Sequence, residues 1–97
     1  MANLRFHPDA QAEYEGALAW YQARSPRAAA RFESETERML AQISSTPEFF
    51  PSYDAEHRYA VLRRFPYSIV YQVQPLDVFI VALAHSSRAA AYWRGRA

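Results

Sequence analysis

His85 is the side chain best suited to acid–base chemistry, because it follows a seven-residue apolar run from Val78 to Ala84. An imidazole at the end of a buried strand projects from a rigid element and can exchange a proton near neutral pH. The alternative is a partly buried histidine that only hydrogen-bonds the backbone. The sequence leaves both roles open and favours the structural one.

A cluster of cations and aromatic rings follows His85. It consists of Arg88, Tyr92, Trp93, Arg94 and Arg96. In a helical tail, Arg88 and Tyr92 would share a face at four-residue spacing. Guanidinium and aromatic groups suit contact with phosphates and bases, and they are equally frequent anchors of protein interfaces. In the alternative, Trp93 packs back on the sheet and the last two arginines are solvated.

Arg63 and Arg64 form a second basic pair, within the segment LRRFPYSIVY. Adjacent residues of a strand point to opposite faces, so this pattern places one guanidinium on each side of the sheet. An arginine on a sheet is a rigid, forked donor for phosphate or carboxylate. The alternative is a solvated strand end with one structural ion pair.

Several kinds of site are missing from the sequence. Gly16 and Gly95 are the only glycines, so a glycine-rich loop that cradles phosphate is excluded. There is no cysteine, and the three histidines lack the close spacing of metal ligands. We therefore expect no metal and no cofactor, and any chemistry would depend on arginine, histidine and tyrosine.

Periodicity predicts the elements that position these residues. A short strand at residues 3–6 precedes a helix from His7-Pro8-Asp9 to about Arg24, and Ser25-Pro26 starts a second helix that ends near Ser44. Three strands follow, at residues 58–64, 67–74 and 78–85.

The resulting order, β-α-α-β-β-β, predicts an α+β fold in which a helical hairpin packs on one face of a small antiparallel sheet. At 97 residues we expect a single domain, residues 1–97. The last strand is apolar on both faces, so it belongs in the centre of the sheet. No element remains to cover the second sheet face, which predicts polar residues or a partner there.

Charge is distributed unevenly along the chain. Residues 1–57 carry five arginines and nine acidic residues, whereas residues 58–97 carry six arginines and a single acid, Asp77. This asymmetry predicts that one part of the fold meets an anionic partner. The N-terminal segment has no long apolar stretch, and the longest apolar run is far below the ~20 residues of a membrane helix. We expect a cytoplasmic protein without a membrane partner.

Three stretches, taken with the element order, resemble the RelE/ParE toxin superfamily and especially its ParE-like, plasmid stabilisation branch. They are FHPDAQAEYEGALAWY, LRRFPYSIVYQV and VALAHSSRAAAYW. The resemblance implies the toxin of a bacterial type II toxin–antitoxin system. It also implies a cognate antitoxin that wraps the toxin with an extended, often acidic segment, giving a hetero-oligomer.

The resemblance implies one of two targets. RelE-like members cut messenger RNA on the ribosome. In that case Arg64 (or Arg63) would be the cation, His85 or Tyr92 the base or acid, and Arg88 a phosphate clamp. ParE-like members inhibit DNA gyrase without catalysis.

The chain has no lysine on its strands and no acidic base on the second strand. These departures from the RelE-like pattern favour gyrase inhibition, with ribosome-dependent mRNA cleavage as the alternative. A degenerate toxin that keeps only antitoxin binding is a third reading. For an inhibitor, the residues expected to contact the target or antitoxin are Arg58, Arg63, Arg88 and Trp93.

Overall fold

The computed structural model describes all 97 residues. Its elements are β1 (Leu4–Phe6), α1 (Pro8–Arg24), α2 (Pro26–Ser45), β2 (Arg58–Val61), β3 (Tyr67–Val73) and β4 (Val78–His85). The predicted α+β architecture, with a helical hairpin followed by three strands, is confirmed. Neither helix combines the length and the hydrophobicity that a membrane crossing requires.

Ser25 alone separates the two helices. Its backbone is extended, its N–H donates to the Tyr21 carbonyl at 2.7 Å, and its hydroxyl accepts the Ala28 N–H at 3.2 Å. The same residue therefore ends α1 and caps α2, with Pro26 at the first helical position. Because only one residue lies between the helices, they pack side by side as the predicted hairpin.

The sheet has the strand order β1-β4-β3-β2, so β4 is internal as predicted. The pairs β2–β3 and β3–β4 are antiparallel, but β1 runs parallel to β4, with Leu4 opposite Val78. The sheet is thus mixed rather than wholly antiparallel. The helical hairpin and two strands lie between β1 and β4 in sequence, and such a long connection permits parallel pairing.

β2 ends at Val61, three residues earlier than the sequence pattern predicts. Leu62 donates its N–H to Tyr67, and Arg64 adopts a left-handed backbone with φ of 66°. The N–H of Arg63 donates to the Glu35 carboxylate on α2 at 2.7 Å instead of to a neighbouring strand. Arg63 and Arg64 therefore lie in the β2–β3 turn, and the expected placement on opposite strand faces is wrong.

Two clusters of buried side chains occupy the two sheet faces. Between the sheet and the helices, Phe32, Ile43, Ile69 and Tyr71 are among the fully buried residues. On the other face, the chain after β4 folds back in a series of turns, and Trp93 packs on residues of β3 and β4 with only 2% of its surface exposed. The second face is thus partly covered by this C-terminal tail, residues 86–97. The expectation of a helical tail and an uncovered face is wrong, and the alternative, in which Trp93 packs back on the sheet, describes the structure.

Candidate functional site

A concave surface on the tail side of the sheet, here called the tail groove, brings together four of the predicted site residues. Its volume is about 530 Å³. The lining residues are Ser52, Tyr53, Tyr59, Ser68, Val70, Ala84, His85, Ser86, Arg88, Ala89, Ala90, Ala91, Tyr92 and Trp93. Strands β3 and β4 form its floor, and the tail, β2 and the loop before β2 form its walls.

His85 stands at the end of β4, opposite Tyr67 on β3. Its Nδ1 accepts the Ser87 N–H at 3.0 Å, and the Ser87 hydroxyl lies 2.7 Å from the same nitrogen. The Tyr67 ring packs edge-on against the imidazole at 4.9 Å. In the neutral ring these contacts place the proton on Nε2. The lone pair of Nδ1, which a base would use, already accepts a hydrogen bond from Ser87.

Tyr92 is held by Glu13 on α1. The phenol donates to Glu13 Oε2 at 2.6 Å. Burial, reinforced by the hydrogen bond and negative charge of Glu13, raises the pKa of Tyr92 well above its ordinary range. The hydroxyl therefore stays protonated at neutral pH and cannot serve as a base.

Glu13 binds the whole end of the tail, and the sequence interpretation missed this role. Besides Tyr92, the carboxylate accepts the Leu83 N–H at 3.1 Å and two N–H groups of Arg96 at 3.0 and 3.1 Å. The spacing along α1 could have indicated this role, since Glu13 lies three residues after Ala10 and four before Ala17, both buried on α1. A carboxylate at this spacing faces the protein rather than solvent.

The two terminal arginines differ from each other. Arg96 donates to Glu13 and to the Val81 carbonyl, and its side chain is 15% exposed, so the expected solvated end is wrong for this residue. Arg94 is more than half exposed and binds Asp54 at 3.2 Å. Arg88 remains the accessible cation of the tail groove, with its guanidinium 3.8 Å above the Tyr92 ring and 3.9 Å from Glu13.

The other predicted cations lie elsewhere. Arg58 donates to the Phe50 carbonyl at 2.6 Å and so holds the loop before β2. Arg63 and Arg64 line a separate concave surface beside α2, here called the arginine groove. The residues that line it are Ser25, Arg27, Ala28, Ala30, Arg31, Ser34, Glu35, Arg38, Arg63, Arg64 and Phe65. Arg64 thus does not share a groove with His85 and Tyr92.

A closed polar cluster supports the tail from the loop before β2. His57 contacts Asp54 through Nδ1 at 2.8 Å and Gln72 through Nε2 at 3.1 Å, and its ring packs on Trp93 at 4.6 Å. Partial desolvation of Asp54 is outweighed by hydrogen bonds from the Glu56 and His57 backbone and by the His57 ring, and the pKa of Asp54 falls to about 2. With both imidazole nitrogens engaged and the ring buried, His57 has a structural role.

The chain offers no ready metal site, since no three His, Asp or Glu side chains gather closely enough to hold an ion. The side chains that meet at the tail groove are a histidine, an arginine and a bound tyrosine. This set can present one cation and apolar surface to a partner.

Comparison with known proteins identifies the family to which the chain belongs. A solved structure described as the chromosomal ParDE TA system from P. aeruginosa contains a chain with a similar fold, with a TM-score of 0.67 and 18% sequence identity. The match covers 88% of this chain and 96% of that one. A search of curated protein sequences gives no match. The family model described as "ParE toxin of type II toxin-antitoxin system, parDE" matches residues 4–90, and the chain therefore belongs to the ParE toxin family.

Proposed function

We propose that this chain is a toxin that inhibits DNA gyrase by binding and is neutralised by a cognate antitoxin. Membership of the ParE toxin family supports the toxin role. The observation that carries the choice of binding over catalysis is the dispersal of the side chains that a nuclease would need.

Cleavage of RNA requires a base for the 2′-hydroxyl, an acid for the leaving oxygen and a cation for the phosphorane, all within hydrogen-bond reach. Here Tyr92 is committed to Glu13, and the acceptor nitrogen of His85 is committed to Ser87. Arg64 lies in a different groove. The remaining cation, Arg88, lies beside Tyr92 and Glu13, but those two groups are hydrogen-bonded to each other and Glu13 also binds Arg96.

The tail groove is the surface that we assign to partner contact. It combines an accessible cation, Arg88, with aromatic walls from Tyr53 and Tyr59, a composition frequent at binding hot spots. Trp93 and Arg58 support this surface indirectly, since Trp93 is buried beneath it and Arg58 holds the Phe50 carbonyl. The antitoxin and gyrase are the proposed partners, and the proposal includes a cytoplasmic location and a hetero-oligomer with the antitoxin.

Expression in a bacterial host tests the proposal. We expect growth arrest, induction of a DNA-damage reporter, and rescue when a cognate antitoxin is co-expressed. Ribosome-bound messages should stay intact. Growth arrest with cleaved messages and a silent damage reporter would refute gyrase inhibition and identify the ribosome-dependent nuclease instead.

A further inference from the structure

Most arginines of this chain are engaged by the protein itself. Arg94 binds Asp54, Arg96 binds Glu13, and Arg58 binds a backbone carbonyl. Of the eleven arginines, four have side chains without any hydrogen bond or ion pair: Arg27, Arg31, Arg63 and Arg64. Acids of the first half of the chain thus pair with Arg88, Arg94 and Arg96 of the second half, whereas the side chains of Arg63 and Arg64 stay unpaired.

All four free arginines line the arginine groove, between α2 and the β2–β3 turn, which has a volume of about 840 Å³. Arg27 and Arg31 project from α2, and Arg63 and Arg64 project from the turn that faces it. All four are exposed. Two elements that are distant in sequence therefore present their unpaired cations to one surface.

Glu35, the acid in this groove, does not cancel these charges. Its carboxylate accepts two N–H groups of Arg38 at 2.8 and 2.9 Å and the Arg63 N–H at 2.7 Å, and the Arg38 bonds lower its pKa. The charge of Glu35 is balanced by Arg38, and its bond to the Arg63 N–H also holds the β2–β3 turn. Five arginines and one glutamate give the groove a net charge of +4.

The neighbouring acids of α2 point away from the groove. Glu33 and Glu37 lie on the α1 side of the helix, where Glu33 lines a cleft with Leu18 and Glu37 lines one with Tyr14. The first turn of α2 contains no acidic residue. Glu35 is therefore the one carboxylate of α2 that faces the arginine groove, and the groove keeps its net positive potential.

The shape and lining of the groove indicate the kind of anion. Arg27, Arg31 and Arg38 follow one side of α2 over about 16 Å, given the 1.5 Å rise per residue. Most lining residues are polar, and the one aromatic ring, Phe65, packs into the core against Tyr21. A peptide interface would have an apolar centre, and single-stranded nucleic acid would need exposed rings for stacking.

We propose that the arginine groove binds the phosphodiester backbone of a nucleic-acid duplex. Forked guanidinium groups on two facing elements can contact several phosphates, and such contacts carry no base specificity. This inference goes beyond the proposed function. Its test uses neither gyrase nor antitoxin, so the failure of one does not imply the failure of the other.

Fluorescence anisotropy with a labelled random-sequence DNA duplex measures the binding. For four phosphate contacts we expect a plot of the logarithm of the association constant against the logarithm of salt concentration to have a slope of about −3.6. Binding should thus weaken roughly 150-fold between 50 and 200 mM salt. A double variant, Arg27→Ala with Arg31→Ala, should reduce that slope by about 2. An RNA duplex tests whether the backbone of either nucleic acid suffices.

Arg64→Gly separates binding from folding. The left-handed backbone at Arg64 suits glycine better than arginine, so this variant should unfold at the same temperature or higher. It should nevertheless lose about one unit of salt slope. A stable Arg64→Gly protein that binds DNA with the wild-type slope would contradict the proposal.

The matched control removes two arginines that are exposed but paired. Arg5→Ala with Arg94→Ala changes the net charge by the same amount as the double variant of α2, yet both residues lie outside the arginine groove. The control should retain the wild-type slope. An equal loss of salt slope in both double variants would overturn the inference. Tight binding of a polyglutamate peptide, without binding of either duplex, would also overturn it.

Discussion

Replacing Glu13 by alanine should release the C-terminal tail from the sheet. The carboxylate accepts hydrogen bonds from the Leu83 backbone, the Tyr92 hydroxyl and two N–H groups of Arg96. Glu13→Ala removes the acceptor that these donors share. The Arg96 guanidinium is affected most, because it would remain a partly buried charge whose remaining partners are the Val81 carbonyl and the exposed Asp9 carboxylate, 3.8 Å away.

The size of the effect follows from burial. The Glu13 and Arg96 side chains are 16% and 15% exposed, between a surface pair and a fully buried one. Surface pairs contribute up to about 1 kcal/mol, whereas breaking a buried pair costs about 3–5 kcal/mol. We expect Glu13→Ala to lower the free energy of unfolding by about 3 kcal/mol. For a domain of this size that corresponds to a loss of about 12 °C or more in Tm.

Thermal unfolding and tryptophan fluorescence measure both consequences. In a Trp20→Phe background, Trp93 reports on the tail alone, and we expect its emission to shift to the red in Glu13→Ala. The matched control is Glu15→Ala, because Glu15 lies on the same helix, is exposed, and bonds only Gln11. Its cost should stay below about 0.5 kcal/mol. Equal stability of the two variants would refute the role assigned to Glu13.

Three further predictions concern the same face of the sheet. Trp93→Ala should cost about 3–5 kcal/mol, measured by chemical denaturation, because it empties a buried site; a cost below 1 kcal/mol would show that the tail does not pack there. Because the pKa of Asp54 is lowered, its contribution to stability is full above pH 3.8 and is lost as the pH falls toward 2. Trp93 emission in the Trp20→Phe background should therefore change over that pH interval. Asp54→Asn should remove the change. Tyr92→Phe should destabilise the fold by about 1–2 kcal/mol yet leave growth arrest intact, and loss of toxicity in a folded Tyr92→Phe protein would point to catalysis.

The sequence predicted the elements well because their signals are local. Ser25 before Pro26 marks the break between the helices, and the apolar run that ends before His85 marks the central strand. These signals depend on periodicity and capping, which neighbouring residues determine. The order of the elements follows from the same signals, and the structure agrees with it.

Contacts between distant residues could not be predicted in the same way. Glu13 and Arg96 are 83 positions apart, and nothing in the spacing of either indicates the other. The parallel pairing of β1 with β4 and the folding of the tail onto the sheet are equally non-local. Charge is distributed unevenly along the chain, and in the sequence this asymmetry predicted an anionic partner. In the structure, acids of the first half are themselves partners of arginines in the second half.

A gyrase supercoiling assay with the purified chain tests the central claim, inhibition by binding, most directly. Wild-type protein should inhibit supercoiling and His85→Ala should retain inhibition, because no chemical step depends on the imidazole, and addition of the antitoxin should restore activity. Undisturbed supercoiling, together with cleavage of ribosome-bound messages that is lost in His85→Ala, would contradict the account.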